Sequence, residues 1–394
     1  VTWLLGLLAA CDPPVPPIVD HDRDGVDAAH DCDDDDATTY PGAPEVGDRR
    51  DHDCDGLAPP PPRDLADPTA ERGAAFGRAV AQALGTTWVG APRAGGALDV
   101  AASRGGVWAD DGRAAPRGVA GETGALLGAA IAVTASGVVL VGAPGLAADA
   151  PGEVRDSTGT VRMRALGAGR VLAARGERWA TRAAVDAESA PTLDPDGARP
   201  GVAVVSEHGT QAWTLPRPPD ALAILGDGTI VAGFRSGPIA IRIGTTDVLR
   251  GEDGDEAGAA LAACDADADG DEDVVVGAPG SRGGTWGLPG AGAVWVLDPH
   301  APPRSLAEHP PAARGEGRFG AALTCGDPGV VYAGAPMAGS LLEGIVRTLE
   351  DPSPVEVGIP GAHLGGALAT GDDLLIIGAP GGPGVAGSVR LRLR

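Results

Sequence analysis

The chain has 394 residues, of which 63 are Gly and 36 are Pro, so it is long enough to bury a large core but punctuated too often for long helices. Its formal net charge is −24, and residues 12 to 56 carry fifteen Asp and Glu against three Arg, a net of −12 from those two counts. That balance argues against nucleic acid and anionic lipid surfaces as partners and makes cations the natural counterpart. Neither Lys nor Asn occurs, so there is no N-glycosylation sequon.

Residues 1–10, Val-Thr-Trp-Leu-Leu-Gly-Leu-Leu-Ala-Ala, are apolar but much shorter than the roughly twenty residues that span a bilayer. They read as the core of a signal peptide. Leu8-Ala9-Ala10-Cys11 resembles the lipobox of bacterial lipoproteins, which implies cleavage before Cys11 and a lipid anchor on that residue. No Lys or Arg precedes the apolar core, a departure from that pattern, and a chance Cys after a plain secretory signal is the alternative; either reading exports the protein. Residues 11–19 continue as a Pro-rich spacer through Pro13-Pro-Val-Pro-Pro17, stiff and extended.

Residues 20–56 form an acidic, cysteine-bearing module. Asp20-His-Asp-Arg-Asp-Gly25 places Asp20, Asp22 and Asp24 at loop positions one, three and five with Gly at six. Asp31 stands at twelve, where a calcium loop wants an oxygen ligand. Asp31-Cys-Asp-Asp-Asp-Asp36 and Asp51-His-Asp-Cys-Asp-Gly56 follow, adding Asp51, Asp53 and Asp55 as weaker ligand candidates. Too little apolar surface exists here for a core, so any fold comes from metal and a Cys32–Cys54 bridge; a solvated, disordered acidic tail is the alternative. With Tyr40-Pro-Gly-Ala-Pro-Glu45, the span resembles the MopE-like metal-binding motif of myxobacterial and related surface proteins. Asp48-Arg-Arg-Asp51 departs from it, since a Gly is usual there.

After the Pro linker at residues 57–62, one unit recurs. Val89-Gly-Ala-Pro92, Val141-Gly-Ala-Pro144, Val276-Gly-Ala-Pro279, Ala333-Gly-Ala-Pro336 and Ile377-Gly-Ala-Pro380 each end an aliphatic run. Each is preceded by a start at Phe76-Gly77, Leu127-Gly128, Ala257-Gly258, Phe319-Gly320 or Leu364-Gly365. Two degenerate units are placed between the starts at Gly128 and Gly258, one from Trp179-Ala180 with Gly201–Val205 as its strand, one from about Leu222 with Ile230–Phe234. Seven starts result, 36 to 62 residues apart, close to one four-stranded blade each. A third strand is expected in each unit at 106–109, 159–163, 211–215, 239–243, 293–297, 344–347 and 388–393. The last unit then lacks its outermost strand, which Arg63–Ala70 is expected to supply, closing the ring.

Asp265-Ala-Asp-Ala-Asp-Gly-Asp-Glu-Asp273 sets carboxylates at positions one, three, five and nine around Gly270 at six, a calcium loop in type. Position twelve is Val276, inside a β-branched run, so the loop caps a hairpin and no EF-hand forms. An acidic turn without metal is the plainer alternative. Residues 63–394 resemble FG-GAP repeats, the unit of the integrin α-subunit β-propeller and of many bacterial surface proteins. The resemblance implies an all-β, seven-bladed β-propeller with Ca2+ held by Asp265, Asp267, Asp269 and Asp273 and the Asp271 carbonyl, in a structural role. Gly326–Gly329 and Gly371–Asp373 lack a ligand set, so one occupied blade is expected. Cys264 and Cys325 are read as small buried hydrophobes in preference to an inter-blade bridge.

None of the seven His has metal-ligand spacing or a nucleophile-elbow setting; His208, in Ser206-Glu-His-Gly209, reads as a solvated turn. The expected function is therefore non-enzymatic. It is a calcium-stabilised cell-surface propeller for adhesion, or for binding an extracellular protein or glycan, through loops including 93–104, 146–156 and 281–290. It is expected to be monomeric, to touch a membrane only through its lipid anchor, and to sit at the cell envelope or outside the cell. Metal sequestration by the N-terminal module is the alternative. A weaker one, a hydrolase or lyase on a propeller scaffold, calls for His and carboxylates converging in a central channel.

Overall fold

The computed structural model describes residues 20–41, 54, 63–95, 102–112, 117–146, 151–188, 190–195, 197–235, 238–242, 248–250, 255–282, 290–298, 305–309, 317–371, 374–382 and 385–394. Residues 1–19, with Cys11 and the apolar leader, lie outside that set, as do Asp51, Asp53 and Asp55. The chain divides into two compact units, Val1–Pro59 and Pro60–Arg394.

In the larger unit the Val- and Ala-rich runs form short antiparallel strands separated by Gly-containing turns. Strand β1 is Arg63–Ala66. Then come β2 (Ala79–Ala83), β3 (Thr86–Ala91), β4 (Gly106–Asp110) and β5 (Arg117–Ala120). Next are β6 (Ile131–Val133), β7 (Val139–Ala143), β8 (Pro151–Asp156), β9 (Val161–Leu166), β10 (Leu172–Arg175), β11 (Arg178–Val185), β12 (Arg199–Ser206) and β13 (Gly209–Thr214). They are followed by β14 (Ala221–Ile224), β15 (Ile230–Gly233), β16 (Pro238–Arg242), β17 (Val248–Arg250), β18 (Ala260–Cys264), β19 (Asp273–Ala278), β20 (Ala293–Leu297) and β21 (Ser305–His309). The last are β22 (Ala322–Cys325), β23 (Val331–Ala335), β24 (Ile345–Thr348), β25 (Glu356–Val357), β26 (Ala367–Gly371), β27 (Leu374–Ala379) and β28 (Ser388–Leu393). No α-helix occurs among the described residues.

These strands pair into seven four-stranded sheets: β2–β5, β6–β9, β10–β13, β14–β17, β18–β21, β22–β25, and β26–β28 with β1. The first strands stand side by side in the order β2, β6, β10, β14, β18, β22, β26 and back to β2. The fold is an all-β propeller, and the second strands carry its core: every residue of β7, β19, β23 and β27 is buried. Those runs are aliphatic on both faces because a blade is packed on each side.

The two glycines of the repeat have a single cause. A Cβ on Gly90 would lie 2.1 Å from the carbonyl oxygen of Gly128, and one on Gly142 would lie 1.9 Å from that of Gly169. Gly233 meets Gly258, Gly277 meets Gly320, Gly334 meets Gly365 and Gly378 meets Gly77 in the same way, at 2.0 to 2.3 Å. The glycine of the second strand in one blade thus sits on the start glycine of the next, and only a residue without a side chain lets the backbones approach so closely. The aromatic of Phe-Gly fills the layer beneath: Phe76 and Phe319 are fully buried, with Trp108 edge-on to Phe76 at 5.8 Å and the Arg347 guanidinium 3.9 Å over Phe319.

The ring is closed by β1, which pairs antiparallel with β28 in the register Leu65↔Val389. Leu65 enters the cluster that joins the last blade to the first, with Phe76, Val89, Ile376, Val389 and Leu391.

The structure corrects two strand placements. In the third blade Trp179-Ala180 is not a start but lies within the first residues of the second strand, β11, while 201–205 lies in the third strand and 211–214 in the fourth. The start is Gly169, six residues after Met163, and it carries no aromatic before it. In the second blade 161–163 opens the fourth strand; the third is Pro151–Asp156, whose alternation of half-buried Glu153 and Arg155 with buried Gly152, Val154 and Asp156 reads in sequence like a polar insert.

Candidate metal centres

The loop of residues 265–272 joins β18 to β19, and the hairpin register pairs Cys264 with Asp273 at its neck. Inside it, carboxylate oxygens of Asp265, Asp267 and Asp269 come within 4.8 Å of one another. They are steered by backbone amides: Asp269 N donates to Asp265 Oδ1 and Asp267 Oδ1 at 3.1 and 3.2 Å. Gly270 N donates to Asp265 Oδ2 at 3.1 Å, and Asp271 N to Asp269 Oδ1 at 2.9 Å. Asp273 is set apart from this trio. It is buried as the first residue of β19, and its Oδ2 accepts from Ala266 N at 3.0 Å. Burial, reinforced by the charges of Asp267, Asp269 and Asp298, pushes its carboxyl up to about 6. Asp271 contributes an exposed side chain outside the trio.

The N-terminal module repeats this backbone. Arg23 and Ala268, each at loop position four, have φ of 70° and 63°, and Gly25 and Gly270, each at six, have 103° and 96°. Gly25 N reaches Asp20 Oδ2 at 3.3 Å, as Gly270 N reaches Asp265 Oδ2, and Val26 N reaches Asp24 Oδ1 at 2.8 Å, as Asp271 N reaches Asp269. Asp22, Asp24 and Asp31 bring ligand atoms within 4.8 Å of one another, and so do Asp20, Asp22 and Asp34. The Oδ2 atoms of Asp22, Asp24 and Asp31 are buried without a hydrogen-bond partner. Three converging carboxylate oxygens without a donor are what a hard cation satisfies, and the oxygen-only set fits calcium better than a soft metal. Desolvation, with the charges of Asp24, Asp31 and Asp20, raises the Asp22 carboxyl. The propeller trio has the same all-oxygen chemistry.

Cys32 and Cys54 are joined in a disulfide, as the matched Asp-Cys-Asp settings led one to expect. Their sulfurs lie beside Asp31 and, being bonded to each other, offer no thiolate. Cys264 and Cys325 are also bridged, against the reading of two isolated hydrophobes: they end the first strands of adjacent blades, which brings their Cα atoms to 6.3 Å. Two contributors were not singled out from sequence. Asp34, hidden in a run of four acids, accepts from His21 N at 3.1 Å and faces the His21 ring at 3.0 Å. Glu272 reaches out of the propeller loop to Arg175 at 2.6 Å and to the amide of Gly226.

The channel between the first strands is a cavity of about 350 Å³. It is lined by Val, Ala, Leu and Ile with Gln82, Arg175, Thr324 and Thr370, and no His or carboxylate is among its lining residues. His208 sits at the β12–β13 turn, its amide donating to Ser206 Oγ at 3.2 Å and its ring exposed.

Residues 257–297, which span the acidic loop and strands β18–β20, match the FG-GAP repeat. One blade of the propeller therefore matches that repeat. Residues 31–58 match a metal-binding motif of the MopE kind. The propeller is also similar, across 84% of the chain, to virginiamycin B lyase from Staphylococcus aureus at 9% identity and a TM-score of 0.53, covering 99% of that chain. A streptogramin B lyase structure matches at 10% identity and a TM-score of 0.54, again over 84% of this chain and 97% of that one. At such identities the likeness concerns the fold alone. No curated protein matches the chain.

Proposed function

We propose that this chain is a non-enzymatic, calcium-stabilised, seven-bladed FG-GAP propeller, exported to the cell envelope, that binds a protein or glycan through its rim loops. The observation behind the calcium reading is the shared backbone of two acidic loops, one in each unit, each converging three carboxylates on one point. Asp265, Asp267 and Asp269, with Asp273 beside them, would hold the ion in the propeller. Bound there, it supplies charge neutralisation that fixes the rim of one blade. The two disulfides favour an oxidising compartment, in keeping with the signal sequence and the anchor read at Cys11. The aliphatic channel gives general acid–base chemistry little to work with, and the lyase alternative rests on fold likeness. Calorimetric titration of the full chain with calcium, before and after Asp265→Asn and Asp267→Asn, tests the reading; an unchanged titration removes it.

A second reading, metal sequestration by the N-terminal module, is favoured by the unpartnered oxygens of Asp22, Asp24 and Asp31 and by the MopE-like match. Equilibrium dialysis with calcium against copper separates the two. Tight copper uptake abolished by Asp22→Asn with Asp31→Asn makes the module the functional part.

A further inference from the structure

The propeller loop is gripped from both sides by neighbouring blades, and the grip is covalent on one of them. Cys264 immediately precedes Asp265 and pairs across the hairpin with Asp273, so its bond to Cys325 in the next blade anchors both arms of the loop at the neck. Two hydrogen bonds extend that anchor. Gly329 N donates to the Asp265 carbonyl at 2.9 Å, and Thr370 Oγ1, one blade further on, donates to the Cys325 carbonyl at 2.6 Å. On the opposite side Glu272 is held by Arg175 and by the amide of Gly226, two blades and one blade away.

We infer that the Cys264–Cys325 bond is a redox-sensitive clamp on the calcium loop, so that closing it tightens calcium binding and bound calcium protects it from reduction. This rests on the calcium reading above and adds its regulation. With the bond closed, Asp265 and Asp273 start from a fixed neck, and binding sacrifices less loop freedom. A dithiol reductant breaks the S–S bond: the two protein sulfurs take up two electrons and two protons as thiols, and the reductant closes to its own disulfide. The neck is then held by hydrogen bonds alone, and affinity falls. Linkage makes the effect reciprocal, since whatever factor the bond contributes to calcium affinity, calcium contributes to the bond.

The test uses the full chain. Calcium is titrated into the parent, into Cys264→Ala/Cys325→Ala, which keeps the Cys32–Cys54 bridge, and into Asp265→Asn, whose residual signal reports the N-terminal module and is subtracted. The loop's Kd is expected to weaken about tenfold in the double variant, with a smaller loss in Glu272→Gln. Equal affinity in the parent and the double variant overturns the clamp and leaves the calcium site standing. A parent titration that Asp265→Asn does not alter overturns both. Should the double variant fold poorly, the parent supplies the reciprocal measurement by alkylation of Cys264 and Cys325 in dithiol buffers. Calcium is expected to lower their midpoint potential by about 30 mV, the equivalent of tenfold for a two-electron couple; an unmoved potential overturns the inference.

Discussion

Gly142→Ala examines what the repeat encodes. The new Cβ would stand 1.9 Å from the carbonyl oxygen of Gly169, 2.8 Å from its carbonyl carbon and 3.0 Å from its Cα. Carbon and oxygen in unstrained contact lie roughly 3.3 Å apart, so the second and third blades must separate by more than an ångström at that point. The opposing atoms are backbone and cannot rotate away. A radial gap of that size forfeits a large part of the dispersion attraction along the interface, and overpacking alone costs about 1–3 kcal/mol. Three simultaneous backbone clashes put the change at the upper end, about 3 kcal/mol. At roughly 2 °C per kcal/mol for a chain of this size, the propeller transition should fall by about 6 °C in scanning calorimetry. Thr210→Ala, on the exposed side of β13, is the control and should stay within about 0.5 kcal/mol of the parent. A Gly142→Ala protein melting within a degree of the parent would refute the claim that glycine pairs set the approach of neighbouring blades.

Calcium at a hundredfold excess over Kd should stabilise the propeller by about 2.7 kcal/mol; a chelator should remove that increment, and Asp265→Asn should make the melting temperature indifferent to both. Glu256 is bound by Arg318, Nη2 to Oε2 at 2.6 Å, and those hydrogen bonds hold its carboxyl below the ordinary value of 4.5, with burial opposing. A depressed carboxyl contributes stability that is complete above its unfolded value and lost as pH falls through the folded one. Acid unfolding followed below pH 4.5 should therefore lose less stability per pH unit in Glu256→Gln than in the parent. Leu65→Asp places a charge in the buried cluster that closes the ring and should cost about 3 kcal/mol or more, with hydrogen exchange at Arg390–Leu393 accelerating before exchange elsewhere. Removing the Cys32–Cys54 bridge, 22 residues in span, should cost the N-terminal module about 3 kcal/mol, read as faster proteolysis between Asp20 and Tyr40.

The linear chain displays what repeats locally. Gly-Ala-Pro after an aliphatic run, Phe-Gly or Leu-Gly before it, and acids at positions one, three and five around a Gly are short-range patterns. They announce strands, blade starts and cation loops because each is dictated by the steric needs of a few neighbouring residues. The closing strand at Arg63 could be expected from the arithmetic of a last unit one strand short. In the third blade the pattern fails, since the second strand ends in Ala-Ala-Val185 in place of Gly-Ala-Pro and leaves the start at Ala168-Gly169 unmarked. There the boundary is decided by which backbones meet across the blade interface. The same holds for Cys264 with Cys325, 61 residues apart, and for Glu272 with Arg175. Those partners are chosen by the angle at which one blade follows another, a quantity that emerges only when the sheets close into a ring.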